Sequence, residues 1–192
     1  RQQDGEQQSA ADRWSGLVVG GGYAVAAVVL AVLHGVPTGR EVLTFVAFAA
    51  AHALASRVVF ESAGGLAVAT QPTLVASLLV LPVEYVPLVV LIGLLASAPA
   101  GSRARHDLLV RALSGWHSIG PVTVLWLAGY DEVSLRHWPV YALALLAQFV
   151  LDAATAVIRC VATGIPVSVL PRPMAWSWAV DALLTPIGIA AV

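Results

Sequence analysis

The chain has 192 residues, of which 59% are hydrophobic and 11% are charged, and its mean hydropathy is +0.84. A soluble domain carries about 25% charged residues, so this composition indicates an integral membrane protein. The formal net charge is −1 and all ten basic residues are arginine. The charge gives no electrostatic footprint for nucleic acid, and the absence of lysine excludes Schiff-base and P-loop lysine chemistry. The single cysteine excludes an intrachain disulfide and a multi-cysteine metal site.

The predicted fold is all-α, a polytopic membrane helix bundle of about seven spans. The first residues are polar, and we predict a disordered cytoplasmic tail over residues 1–15 and a transmembrane helical domain over residues 16–192. Apolar runs predict spans at residues 17–33, 42–56, 66–81, 86–98, 112–128, 139–161 and 176–192. The run over residues 66–98 is too long for one ordinary crossing, and Pro82 and Pro87 divide it. A re-entrant segment there is the alternative.

Arginine placement predicts a cytoplasmic N-terminus. Basic residues concentrate in the cytoplasmic loops of membrane proteins. With seven spans, the inner segments contain Arg1, Arg13, Arg57, Arg103, Arg105, Arg111, Arg159 and Arg172, and the outer loops contain Arg40 and Arg136. Treating residues 66–98 as a single crossing would move the cluster from Arg103 to Arg111 outside. The arginine bias therefore favours seven spans and a multi-pass protein of the plasma membrane.

The sixth predicted span contains an ionisable stripe. Gln148, Asp152, Thr155 and Arg159 are four, three and four residues apart, a spacing that places them on one face of a helix. A charge within the hydrocarbon costs about 2.5–3.5 kcal/mol on insertion scales, so such a face should contact protein or a wet cavity. The stripe is a candidate functional site. The alternative is that its charges only hold helices together, with Asp152 paired to Arg159 or to another partner.

Other spans place polar residues at a similar predicted depth. Gln71, His117 and Asp181 each lie five residues beyond the predicted inner start of a span, which is about 8 Å along a helix. Together with Gln148, Asp152 and Arg159 they form the candidate ligand-binding set, an inner polar layer. A proton relay is a further interpretation of this layer, and His52 is interpreted first as a helix–helix hydrogen-bonding residue.

Prolines accompany this layer. Pro72, Pro121 and Pro186 lie close after Gln71, His117 and Asp181. If they are in mid-helix, they leave the carbonyls of residues 68, 117 and 182 without helical partners. Broken helices beside polar side chains are typical of transporter-like binding sites.

The chain contains no enzyme motif. There is no G-x-S-x-G, H-E-x-x-H, Walker or C-x-x-C sequence. We therefore expect no catalytic residues, no metal site and no cofactor.

Three stretches carry a resemblance to a known family. They run from Val68 to Val75 (VATQPTLV), from Trp138 to Asp152 (WPVYALALLAQFVLD) and from Val180 to Gly188 (VDALLTPIG). They resemble the N-terminal multi-pass membrane region of actinobacterial HD-domain (HD-GYP-like) phosphohydrolases and related GGDEF proteins, over roughly residues 57–192. The resemblance implies an input module for a cytoplasmic output domain. The 192 residues contain no such domain, so the family's enzymatic activity is not transferred.

These observations lead to three hypotheses. The first is a sensory or regulatory membrane domain that binds a small or lipidic ligand in the inner polar layer and signals to an output domain. The second is a small-solute binding or transport subunit, similar in size and hydropathy to the substrate-binding component of vitamin importers. The third is a structural subunit of a larger membrane complex. The bilayer is the expected partner in every case, and nucleic acid in none.

Overall fold

The computed structural model describes residue 14 and residues 16–62, 65–98, 108, 111–129 and 134–191. This part of the chain contains seven α-helices and one β-hairpin. They are α1 (Gly16–His34, beginning with the π-helical turn Gly16–Gly20), α2 (Arg40–Ala55), β1 (Val59–Ser62), β2 (Gly65–Val68), α3 (Gln71–Val80), α4 (Val86–Ala96), α5 (Ile119–Leu127), α6 (Trp138–Thr163) and α7 (Pro171–Ala190). Short 3-10 turns at Val83–Tyr85, Ser114–Ser118, Leu135–His137 and Val167–Val169 lead into the last four helices.

The all-α prediction is confirmed, and each predicted span overlaps one helix. Within the described residues, α1 and α6 are the two helices long and apolar enough to cross a membrane by length and composition. The remaining helices do not establish further crossings by that measure. The polar-tail prediction for residues 1–15 lies outside the described residues, apart from Trp14.

The third predicted span needs correction, because its first residues form a strand and not a helix. β1 and β2 pair antiparallel with Val59 opposite Val68 and Ser62 opposite Gly65, and α3 begins only at Gln71. Ten residues of helix extend about 15 Å, half of the roughly 30 Å hydrocarbon core. β2 packs against α7 and not against α3. The hairpin therefore lies beside the long final helix, in the part of the bundle that the short α3 does not reach.

The chain runs back and forth between two ends of the bundle. At one end Tyr85 donates a hydrogen bond to the Gly35 carbonyl at 3.0 Å, and His34 Nδ1 lies 3.2 Å from Glu84 Oε2. We call this the Glu84 end. At the other end Arg111 donates to Ser97 Oγ at 3.3 Å; we call this the Arg111 end.

The helix α6 has polar residues inside and apolar residues outside. Its buried face carries Ala144, Gln148 and Thr155 at helical spacing. Its exposed face carries large apolar side chains, namely Leu143, Leu146, Val150, Val157, Ile158 and Val161. A soluble protein would have the reverse arrangement, because its apolar helix face packs inward. The exposed apolar stripe of α6 therefore requires an apolar medium or a partner surface.

The closest described helix contact is between α5 and α6, and glycine permits it. A Cβ placed on Gly120 would lie 2.5 Å from the Ala147 carbonyl oxygen and 2.9 Å from the Gln148 nitrogen. Both are backbone atoms and cannot move aside like a flexible side chain. Gly120 thus fixes the position of Gln148 relative to α5, since small residues let helix backbones approach closely.

Candidate functional site

A cavity of about 280 Å³ lies inside the bundle toward the Arg111 end. Six of the seven described helices or their leading turns reach it, together with the exit of the hairpin. Its polar lining consists of His52, Ser56, Thr70, Gln71, Arg111, Ser114, His117, Gln148, Asp152, Ser177 and Asp181. Five of the six residues in the candidate ligand-binding set, Gln71, His117, Gln148, Asp152 and Asp181, are therefore brought together by the fold.

Arg159, the sixth candidate, does not line this cavity. Its side chain is exposed. It lies seven residues beyond Asp152 on α6, which is about 10 Å along the axis. Gln148 and Asp152 of the predicted stripe face the cavity, but the stripe continues along α6 beyond the cavity to Arg159. Arg159 is therefore removed from the candidate site.

Two glutamines form the wall of the cavity nearest the Glu84 end. Gln148 Nε2 donates to Gln71 Oε1 at 2.7 Å, and Gln71 Nε2 donates to Gln148 Oε1 at 3.2 Å. Gln71 Nε2 also lies 3.1 Å from Thr185 Oγ1. Both amide side chains are almost completely buried, so these bonds satisfy groups that would otherwise be costly to bury. They connect α3, α6 and α7 at one point.

Asp152 is held by α7 and not by Arg159. Trp178 Nε1 donates to Asp152 Oδ2 at 3.0 Å, and the Trp178 ring stacks on Phe149 with 5.2 Å between centroids. Within the described residues, neither Asp152 nor Asp181 has an arginine nitrogen within 4.0 Å. Of the two partners that the alternative interpretation allowed, Arg159 is therefore wrong, and Asp152 is bonded to another residue, Trp178.

Asp181 faces the same cavity with its carboxylate unused. Its backbone carbonyl accepts from Thr185 Oγ1 at 2.8 Å, but its side chain forms no hydrogen bond with the described part of the chain. His117 occupies the other side of the cavity, and its Nδ1 is bonded to the Ser114 carbonyl. That carbonyl can only accept, so Nδ1 carries the proton and Nε2 is the remaining nitrogen.

His52 is the most buried ionisable residue of the lining, with 1% of its surface exposed. Its Nδ1 lies 3.1 Å from Thr73 Oγ1, and the Thr73 hydroxyl donates to the Thr70 carbonyl at 2.8 Å. Because the Thr73 proton is used in that bond, His52 Nδ1 must be the donor to Thr73. His52 Nε2 has no partner among the described residues.

The proline prediction is correct for one helix and wrong for another. Pro186 lies inside α7, but Pro72 occupies the first turn of α3, where its missing N–H costs nothing. The Val68 carbonyl is not left free, since it accepts from the Thr70 N–H at 2.8 Å. Pro121 lies near the start of α5, directly after a 3-10 turn. The cavity is therefore opened by the short length of α3 and not by a kink in it.

Two further cavities continue toward the Glu84 end. A space of about 40 Å³ shares Gln71 and Gln148 with the polar cavity but is otherwise mostly apolar. It shares Leu78, Leu79 and Leu125 with a third space of about 510 Å³ beside His34 and Glu84. The three spaces thus follow one another along the bundle, separated first by an amide pair and then by leucines.

Sequence reasoning missed two ionisable residues of the lining as site residues, His52 and Arg111. On the predicted second span, His52 has one polar neighbour at helical spacing, Ser56 at the end of the span, and this pair does not distinguish a site from an ordinary helix end. Arg111 stands out in the sequence only as part of the arginine cluster. Both reach the cavity through tertiary packing. Among the described residues, no group of three or more His, Cys, Asp or Glu side chains is arranged to hold a metal ion.

No family model, no curated protein and no solved structure matches the chain.

Proposed function

We propose that the chain is a multi-pass membrane domain whose polar cavity binds a small ligand and whose helices transmit its occupancy. The first support is the inverted polarity of α6, with Gln148 and Thr155 buried and Leu146 and Val150 exposed. α1 repeats the pattern of exposure, with Val25, Val29, Val32 and Leu33 on its surface. Lipid is the medium that accommodates such surfaces without loss of free energy.

The arginine distribution supports a cytoplasmic Arg111 end. Basic residues remain on the cytoplasmic side of a membrane protein. Arg57, Arg111 and Arg172 follow or precede helix ends that lie toward the cavity, whereas Arg40 begins α2 on the side of Glu84. The cavity would then open toward the cytoplasm. A ligand would reach it from the cytosol or from the inner leaflet.

The observation that carries the binding proposal is the convergence of unused polar groups. His52 Nε2 is buried without a partner in the described part of the chain, and the half-buried Asp181 carboxylate forms no hydrogen bond with the described residues, although both residues line one cavity. A buried polar group without a partner costs about 1–3 kcal/mol. A purely structural polar layer would be expected to satisfy its own members. A ligand supplies the missing partners.

The cavity lies between several helices, and this position supports the proposal that ligand binding is transmitted as a change in helix packing. Its walls come from α2, α6 and α7, so a ligand that contacts all three favours one packing of these helices over another. The resemblance to the membrane regions of HD-GYP-like and GGDEF proteins agrees with such an input role.

The three cavities that follow one another along the bundle favour solute transport as a second candidate function, because together they outline a path through it. The amide pair Gln71–Gln148 would be one barrier and the leucines Leu78, Leu79 and Leu125 the other. A transporter should move a solute across a liposome membrane, whereas a sensor binds it without flux. Flux measured with the solute that binds would separate the two functions.

Native mass spectrometry of the protein in membrane-derived nanodiscs tests the binding proposal. We expect the wild type to retain a bound small molecule and the double variant Asp152→Asn/Asp181→Asn to lose it. Glu84→Gln is the matched control, because it removes a carboxylate at the opposite end of the bundle. Retention of the same bound mass by the double variant would show that the cavity is not the site.

A further inference from the structure

The polar cavity presents several hydrogen-bond acceptors that have no partner among the described residues. Asp181 offers both carboxylate oxygens, Asp152 retains Oδ1, and His52 Nε2 carries an unused lone pair. A neutral imidazole nitrogen without a proton accepts but cannot donate. These four acceptor atoms each require a donor.

Several donors of the lining are engaged within the protein. Arg111 donates to Ser97 Oγ, His117 Nδ1 donates to the Ser114 carbonyl, and the Gln71 and Gln148 amides are bonded to each other. One arginine also faces two carboxylates in this lining. With neutral histidines and both carboxylates ionised, the lining would carry two negative charges against the one positive charge of Arg111. Negative charge in a site of low dielectric favours either a bound cation or a proton.

The surroundings of His52 restrict where its donor comes from. Thr73 occupies the Nδ1 side, and Gly93 is so close that an added Cβ would lie 2.9 Å from His52 Cδ2. Those two sides of the ring are filled by protein. Because His52 also lines the cavity, a molecule in the cavity is the available source of a donor for Nε2.

We propose that the cavity recognises a primary ammonium group, an inference that rests on the proposed binding function. An ammonium carries one positive charge and three N–H donors, which match two carboxylates and one histidine acceptor. The volume of about 280 Å³ lies just below the roughly 300–1,000 Å³ of pockets for drug-sized ligands, so the recognised part is small. The shared chemistry fits a free aminoalcohol or the headgroup of phosphatidylethanolamine.

Isothermal titration of the full chain in detergent with ethanolamine tests this proposal. Ethanol, which lacks the charge, and acetate, which carries the opposite charge, are the control ligands. We expect ethanolamine alone to bind. Asp181→Asn should bind about tenfold more weakly or not at all, because it removes a charge-assisted hydrogen bond. Asp181 suits this test, since its side chain makes no hydrogen bond within the described chain that folding would lose. Glu84→Gln should bind like the wild type.

Two nanodisc preparations distinguish the sources. If the lipid headgroup is the occupant, ethanolamine binds in phosphatidylglycerol nanodiscs and is excluded in phosphatidylethanolamine nanodiscs. If a free amine is the occupant, it binds equally in both. Each result supports ammonium recognition. Absence of ethanolamine binding in detergent and in phosphatidylglycerol, or equal affinity for Asp181→Asn, would overturn it. A different molecule retained in native mass spectra would then leave the proposed binding function intact, and an empty cavity would contradict both.

Discussion

The indole of Trp178 holds the Asp152 carboxylate against α7, in place of the alternative pairing with Arg159. The bond spans 3.0 Å, and the stacked Phe149 ring keeps the indole in place. The indole N–H is an uncharged donor, so this bond brings no positive charge to Asp152, whereas an ion pair with Arg159 would. Asp152 therefore remains available to a ligand through its second oxygen.

Replacing Trp178 with phenylalanine removes the donor and keeps an aromatic ring against Phe149. We expect Trp178→Phe to lower the free energy of unfolding in detergent by about 1–2 kcal/mol, the range for a hydrogen bond to a charged group that is partly buried. Trp126→Phe is the control, since Trp126 is 62% exposed and forms no hydrogen bond within the described chain. Equal loss in both variants would show that the indole N–H does not matter.

The glutamine pair predicts strong coupling between two variants. Gln71→Leu alone leaves the buried Gln148 amide without a partner, and Gln148→Leu alone leaves the Gln71 carbonyl oxygen without one, each of which costs about 1–3 kcal/mol. The double variant leaves no unpaired glutamine, so its loss of stability should be clearly smaller than the sum of the single losses. A double-mutant cycle from thermal or denaturant unfolding measures this coupling. Additive effects would contradict the direct contact between the two side chains.

For individual residues, the sequence identifies which polar side chains belong to the candidate site, but it does not identify their hydrogen-bond partners. Gln148 and Asp152 stand out because polar residues in an apolar helix are rare and costly. Gln71, His117 and Asp181 share one predicted depth because they lie equally far from span ends. The role of His52 depends on Thr73 and on the Thr70 carbonyl, and no spacing on α2 encodes that contact.

Among the elements, α3 is the one that makes the cavity. It begins at Gln71 and ends at Val80, so the bundle lacks a helix over half of its length on this side. The β-hairpin and the exit residue Thr70 take that place without filling it. The polar cavity is the space that remains. A full-length third helix would have closed it.

The close crossing of α5 and α6 predicts a sharp effect of one methyl group. Gly120→Ala should lower the free energy of unfolding by about 1–3 kcal/mol, because the new Cβ meets the backbone of Ala147 and overpacks the contact. Gly21→Ala is the matched control, since a Cβ at Gly21 meets nothing within 4 Å. Thermal unfolding in detergent checks both. Equal stability of the two variants would mean that α5 and α6 do not approach this closely.

Helix positions follow from the sequence because apolar runs and their breaks mark them directly. The strands do not, because Leu66, Ala67 and Val68 extend an apolar run that a helix would also use. The signal for a hairpin is the pair Gly64–Gly65, which follows a short β-branched segment at Val58 and Val59. The hydrophobicity of the run outweighs this turn signal, and the predicted helix start is therefore five residues too early.

For the whole molecule, the pattern of exposure is the main physical argument. Apolar side chains cover the outer faces of α1 and α6, and polar side chains collect in the interior. Two carboxylates inside and valines outside would be unstable in water but are suited to a bilayer. Composition alone predicts the bilayer. The position of the cavity needs the fold, because it depends on how six helices meet.

The central claim, a ligand cavity open to the cytoplasm of a multi-pass domain, is tested most directly by thiol labelling. Cys160 is the single cysteine, so Cys160→Ala gives a background for Ser177→Cys inside the cavity and Ser134→Cys near the Glu84 end. A membrane-impermeant maleimide should label residue 177 in inverted vesicles but not in intact cells, and residue 134 in the opposite way. Labelling of residue 177 from outside, or from neither side, would contradict the account.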